Sequence, residues 1–93
     1  MSRIAPHVCT SQESIAHLNA LQFELDSELI VELQMRDGHK LIGTIIERPA
    51  VQLFIDPQDN EGSNGRVSLD MSGVGVRLLW LDEISGFIRL GTH

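Results

Sequence analysis

The feature that most constrains this chain is a succession of short period-two runs, with one Asp-Gly step between the first two. Leu29, Val31, Leu33 and Met35 alternate with Ile30, Glu32, Gln34 and Arg36. Successive side chains of a strand point to opposite faces, so this pattern with one polar face predicts a half-buried strand over 28–36. Asp37-Gly38 follows at once. Between alternating runs it predicts a hairpin with a type I′ turn, which takes positive φ at both central residues. The next run, His39 to Glu47, sets Leu41, Gly43 and Ile45 against Ile42, Thr44 and Ile46. Both faces of its later half are apolar, which predicts cover on both sides. Gly43 predicts a bulge or sharp bend, as where a strand curls around a barrel.

The rest of the chain continues the pattern. Arg48-Pro49-Ala50 is a break, and Val51, Leu53 and Ile55 then alternate with Gln52 and Phe54 as a third strand. Asp56 to Gly65 holds ten residues and no hydrophobe, which predicts a loop or hairpin tip. Val67 to Met71 alternates, Ser72 to Gly75 is loose, and Val76 to Leu81 is an apolar strand containing Trp80. These pieces are expected as a fourth strand over 66–81. After the polar turn Asp82-Glu83, Ile84 to Leu90 makes the fifth.

Upstream, residues 11–24 read as an amphipathic helix. Ile15, Leu18, Leu21 and Leu25 form one stripe at three- to four-residue spacing. Thr10 or Ser11 is the expected N-cap, and Thr10-x-x-Glu13 matches a capping box. Residues 1–10 lack periodicity and contain Pro6, so they are expected to be a flexible arm before a single domain over 11–93. No strand–helix–strand crossover occurs, which excludes a parallel α/β sheet. The expected fold is mainly β (α+β): an N-terminal helix, then a five-stranded, strongly bent antiparallel barrel of SH3-like or OB type.

Composition narrows the function classes. Ninety-three residues with 42% apolar and 22% charged side chains make about one globular domain. Seven Lys and Arg against thirteen Asp and Glu leave a net charge of -6. That balance disfavours indiscriminate binding to DNA or RNA and docking on an anionic membrane, both of which need clustered cations. No run approaches the ~18 apolar residues of a membrane span, and the N-terminus lacks a signal-peptide core. A cytoplasmic location is expected. A single cysteine, Cys9, leaves no internal disulfide framework and is compatible with a reducing compartment.

Parts for catalysis are missing from the sequence. There is no Gly-x-Ser-x-Gly elbow and no P-loop. His7, His17, His39 and His93 show no paired metal-ligand spacing, and Asp56, Asp59, Asn60 and Glu61 do not match an EF-hand. The expectation is no enzyme, no metal and no cofactor. Candidate ligand contacts are few. Arg36 and Lys40 flank one turn, Arg48 follows the second strand, and the lone Trp80 is a candidate core or interface residue.

The motif Val31-x-Leu33-x-x-x-Asp37-Gly38-x-x-Leu41-x-Gly43-x-Ile45 behind a helix resembles the first motif of the Sm and Sm-like proteins, including the bacterial Hfq type. Val51 to Asp56 resembles the end of that motif, and Leu79 to Phe87 the shorter second motif. Small bacterial families of unknown function share this fold. The resemblance implies a self-associating barrel: Sm-like subunits form rings by pairing the fourth strand of one with the fifth of the next. It also raises RNA binding, but the family's RNA-contacting residues are not matched. Gln52 stands at the Asn position, no Asp falls within Glu47 to Ala50, and Trp80-Leu81 replaces the Arg-Gly pair. The reading is a non-catalytic protein-interaction module, forming a homodimer or ring and binding protein partners. Its alternative is an RNA binder using a displaced site among Gln52, Arg36, Lys40 and Arg48.

Overall fold

The structure, a computed structural model, describes residues 3–92. One helix, α1 (Gln12–Glu24), precedes six strands: β1 (Leu29–Met35), β2 (Lys40–Ile45), β3 (Ala50–Ile55), β4 (Glu61–Met71), β5 (Gly75–Trp80) and β6 (Ile84–Thr92). A 3-10 turn, Leu81–Glu83, links the last two. The class is the expected one, a helix followed by an antiparallel sheet. The strand count is six because the stretch expected as one strand over 66–81 folds back at Ser72–Val74, where Gly73 takes φ +77°.

Helix α1 starts at Ser11, whose Oγ accepts from the Ser14 N–H at 3.1 Å. Ser14 therefore holds the third helical position and Glu13 the second, so the Thr10–Glu13 capping box does not form. The helix buries Leu18 and Leu21, and its C-cap residue Leu25 is buried beside them. At its far end the Arg48 guanidinium donates to the Gln22 and Phe23 carbonyls and pairs with Asp26 at 3.2 Å. A cation there satisfies the orphan carbonyls of the last turn.

The sheet runs β3-β4-β2-β1-β6, with β5 also paired to β4. All named pairs are antiparallel. Leu29, Val31, Leu33 and Met35 face inward as their alternation requires, and pack with Ile45, Val67, Leu69, Leu79, Leu81 and Ile84 under the helix. The β1–β2 hairpin differs in its turn. Met35 N–H donates to the His39 carbonyl and Gly38 N–H to the Met35 carbonyl, and only Gly38 has positive φ (+94°). The loop thus has three residues, with one glycine in the left-handed region, rather than a two-residue type I′ turn.

Gly43 is explained by close approach. A Cβ there would lie 2.6 Å from the Asp70 carbonyl oxygen and 2.8 Å from Leu69 Cγ. Just beyond this point β2, still paired to β1 through Ile30↔Thr44, also joins β4 through two register pairs, Thr44↔Asp70 and Ile45↔Leu69. The expected double cover of β2 does not form among the described residues: Ile42 and Ile46 are 54% and 46% exposed.

The largest departure lies at 56–65. Only Asp56 to Asn60 form a turn, closed by Asp56 N–H to the Asn60 carbonyl; Glu61 already pairs with Ile55. The polar stretch is strand because the N-terminal segment covers it. From Arg3 onward that segment, expected as a flexible arm, is bound to the sheet: Ile55 N–H donates to the Arg3 carbonyl, Ala5 N–H to the Ile55 carbonyl, and Cys9 and Ser63 exchange both backbone bonds. Gly62 leaves room for it, since a Cβ there would sit 2.8 Å from the Cys9 carbonyl oxygen and 2.9 Å from Val8. On β3 the buried residue is Phe54, from the face shared with Gln52, whereas Leu53 is exposed.

Candidate functional site

The fold separates the residues singled out from the sequence. Gln52 and Arg48 lie in one cleft of about 250 Å³, with Glu47, Arg66, Ser68 and Leu78. Gln52 is exposed on β3 opposite Asn64. Arg48 is not free, since its guanidinium is committed to the end of α1 and to Asp26. Lys40 opens β2 and Arg48 follows its end, so at ~3.3 Å per residue the strand alone holds them roughly 17 Å apart. Lys40 is exposed. Arg36 turns toward the 3-10 segment, donating its Nε–H to the Asp82 carbonyl while its backbone N–H reaches Glu83. Arg36, Lys40 and Arg48 thus form no common basic patch.

Trp80 is half-buried. Its ring meets Phe54 edge to face at 5.3 Å, and the Arg66 guanidinium lies 5.2 Å from its centre. The face left to a ligand or partner is therefore already stacked by a cation. A fully buried Trp lost to Ala costs ~3–5 kcal/mol, so this half-buried one is expected to cost about 2 kcal/mol in urea unfolding of Trp80→Ala. A change below about 0.5 kcal/mol would show that the Phe54 contact does not hold the strands together.

A second cavity, of about 540 Å³, sits between the N-terminal segment and the 3-10 turn, with Cys9, Met35, Arg36, Asp82 and Glu83 among its walls. Burial pushes the Cys9 thiol above its ordinary range; the Ser14 hydroxyl opposes this, Asp82 adds to it and Arg36 opposes it. A thiol held protonated is a poor nucleophile, so nothing here primes Cys9 for chemistry. Among the described residues no group of three His, Cys, Asp or Glu side chains is placed to hold a metal ion.

The sequence reading missed Asn64, dismissed with the polar stretch. It is fully buried. Its Nδ2 donates to the His7 carbonyl at 2.8 Å, and its Oδ1 accepts from Gly65 N–H at 2.8 Å and, more weakly, from Asp82 N–H at 3.4 Å. One side chain thus ties the N-terminal segment, β4 and the 3-10 turn together. The available signal was Gly62 and Gly65 bracketing it, since two glycines on a strand mark close backbone approach.

The three edges of the sheet are treated differently. On β3, Val51 N–H is satisfied by Gln22 Oε1 at 2.6 Å, and Ile55 by the N-terminal segment. Among the described residues strand β5 pairs only with β4, and β6 only with β1, so each leaves one edge open. Both carry outward apolar residues beside that edge: Val76 and Leu78 on β5, Ile88 and Leu90 on β6, all exposed.

A helix capping a bent antiparallel sheet that is open between its last two strands is the Sm-like arrangement. A crystal structure of XC5848 from Xanthomonas campestris, described as adopting a novel variant of the Sm-like motif, superposes with a TM-score of 0.89 at 34% identity, covering 95% of this chain and 97% of that one. Residues 2–90 match the family described as a domain of unknown function, DUF3247, and the chain belongs to it. No curated protein matches the chain. None of the described helices is long and apolar enough to cross a membrane.

Proposed function

We propose that this protein is a non-catalytic, self-associating interaction module that joins copies of itself through the open edges of β5 and β6. The observation that carries this reading is the asymmetry of the edges. The β3 edge is blunted by Gln22 and the N-terminal segment, while β5 and β6 keep unpaired backbone groups flanked by exposed Val76, Leu78, Ile88 and Leu90. An open, apolar edge strand is a template for pairing with another chain, and natural sheets usually blunt such edges. Joining β5 of one copy to β6 of the next is a head-to-tail contact, which closes into a ring when the rotation permits. Trp80 ends β5 and lies beside this interface.

Light scattering on the eluting protein tests the reading. The chain is expected at a multiple of its 10.3 kDa mass. Leu78→Lys with Ile88→Lys is expected to give a monomer with a native-like melt, because both positions are exposed and edge lysines oppose pairing. A wild-type monomer, or an oligomer that the double variant leaves intact, would sink the proposal. Recording absorbance at 260 and 280 nm in the same run tests the RNA reading. The dispersal of Arg36, Lys40 and Arg48 and the net charge of -6 weigh against it.

A further inference from the structure

The outer face of the sheet is a separate surface. In register across the strands, Ile88 on β6 faces Glu32 on β1, which faces Ile42 on β2; the next row runs Ile30, Thr44, Asp70, Val76. Ile42, Ile46 and Val76 are 54%, 46% and 60% exposed. Along the second row lies a groove of about 590 Å³ whose walls include Glu28, Ile30, Ile42, Thr44, Ile46 and Asp70. Exposed apolar side chains gathered on one face and edged by polar residues mark an interaction surface. Val31, Leu33, Ile45, Val67 and Leu69 already fill the core, so the chain does not need these outward isoleucines for its own burial.

Charge decides what the face fits. Its carboxylates are Glu28, Glu32 and Asp70, and none is in an ion pair among the described residues. The nearest cation in register is Lys40, one row beyond Ile42. Two copies packed face to face would set three carboxylates against three, and like-charge juxtaposition across an interface costs several kcal/mol. An apolar floor with an acidic rim instead complements a chain that presents apolar residues flanked by Lys or Arg. Amphipathic segments seat their anchors in apolar grooves in this way.

We propose that this face, centred on Ile42 and rimmed by Glu28, Glu32 and Asp70, is a docking surface for a basic amphipathic protein segment. Its centre lies on β1 and β2, and it meets the β5 and β6 edges only at Val76 and Ile88; Ile42→Ser and Asp70→Asn leave both edges intact, so the two readings fail separately. The test uses two synthetic amphipathic peptides, one of leucine and lysine and one of leucine and glutamate, titrated into the full chain with amide chemical-shift mapping. The leucine–lysine peptide is expected to shift Ile30, Ile42 and Ile46, and the leucine–glutamate peptide to leave them unmoved. Ile42→Ser is expected to weaken binding at least tenfold and Asp70→Asn several-fold, more at low salt, because exposed charge attraction is screened. Both positions are exposed, and unchanged melting checks that the variants fold. Binding that maps elsewhere, or that both variants leave unchanged, overturns the proposal. So does a fall in the mass of the free protein on Ile42→Ser, which would make a second copy the occupant of this face.

Discussion

Gly43→Val is expected to abolish cooperative folding. The cause is the neighbour and not the backbone angle, since Gly43 is not among the positive-φ residues. Its first side-chain atom would stand 2.6 Å from the Asp70 carbonyl oxygen and 2.8 Å from Leu69 Cγ. Leu69 is fully buried, and the carbonyl belongs to a backbone that cannot step aside without breaking the seam. That seam is short, Thr44↔Asp70 and Ile45↔Leu69 with the Ile46 N–H bonded to the Ser68 carbonyl, so prising β2 from β4 opens the barrel. The expected loss exceeds about 4 kcal/mol, most of what a domain of this size possesses. Circular dichroism melting checks it. Gly38→Ala is the control: Gly38 has φ +94° and nothing within 4 Å of a new Cβ, so left-handed strain alone is expected to cost ~1–2 kcal/mol. A Gly43→Val protein that melts like wild type would refute the close approach.

Asn64→Ala is expected to cost about 2–4 kcal/mol. Each lost hydrogen bond is worth ~0.5–1.5 kcal/mol, and a buried group left without a partner costs ~1–3 kcal/mol more. The Gly65 N–H and the His7 carbonyl both lose their partner. For a chain this short, the loss corresponds to roughly a 10–25 °C drop in melting temperature. The effect has a local signature as well. Hydrogen exchange is expected to accelerate first at Ala5 and Cys9, whose amides bond the sheet where Asn64 anchors the N-terminal segment. A variant that loses stability but keeps these two amides protected would place the Asn64 contribution in the 3-10 turn instead.

Much of the fold was legible because alternation and turn chemistry are local. Val31, Leu33 and Ile45 sit where their period put them, and Leu18, Leu21 and Leu25 sit where helical spacing put them. Gly38 takes the left-handed angle expected of it, although its partner Asp37 does not. The likeness at the first motif likewise pointed to an Sm-like barrel, and the superposition with the Xanthomonas protein bears that out. The segment 61–65 was illegible because its reason for being strand lies about fifty residues away. Composition reads Glu-Gly-Ser-Asn-Gly as a loop. Only the docking of Cys9 on Ser63 and of His7 on Asn64 turns small size and polarity into requirements.

The same division holds at the surfaces. By itself the sequence determined that a helix precedes a succession of antiparallel strands, the inward residues of β1 and the place of the turn at Gly38, since each depends on spacing along the chain. Only the tertiary structure decided that Arg48 caps a helix, that Arg36 and Lys40 stay apart from it, and which edges remain open. It also decided that the second apolar face of β2 is left uncovered by the described residues. Periodicity records that a face is apolar, but which element, if any, lies against it depends on strand pairing between residues distant in the chain.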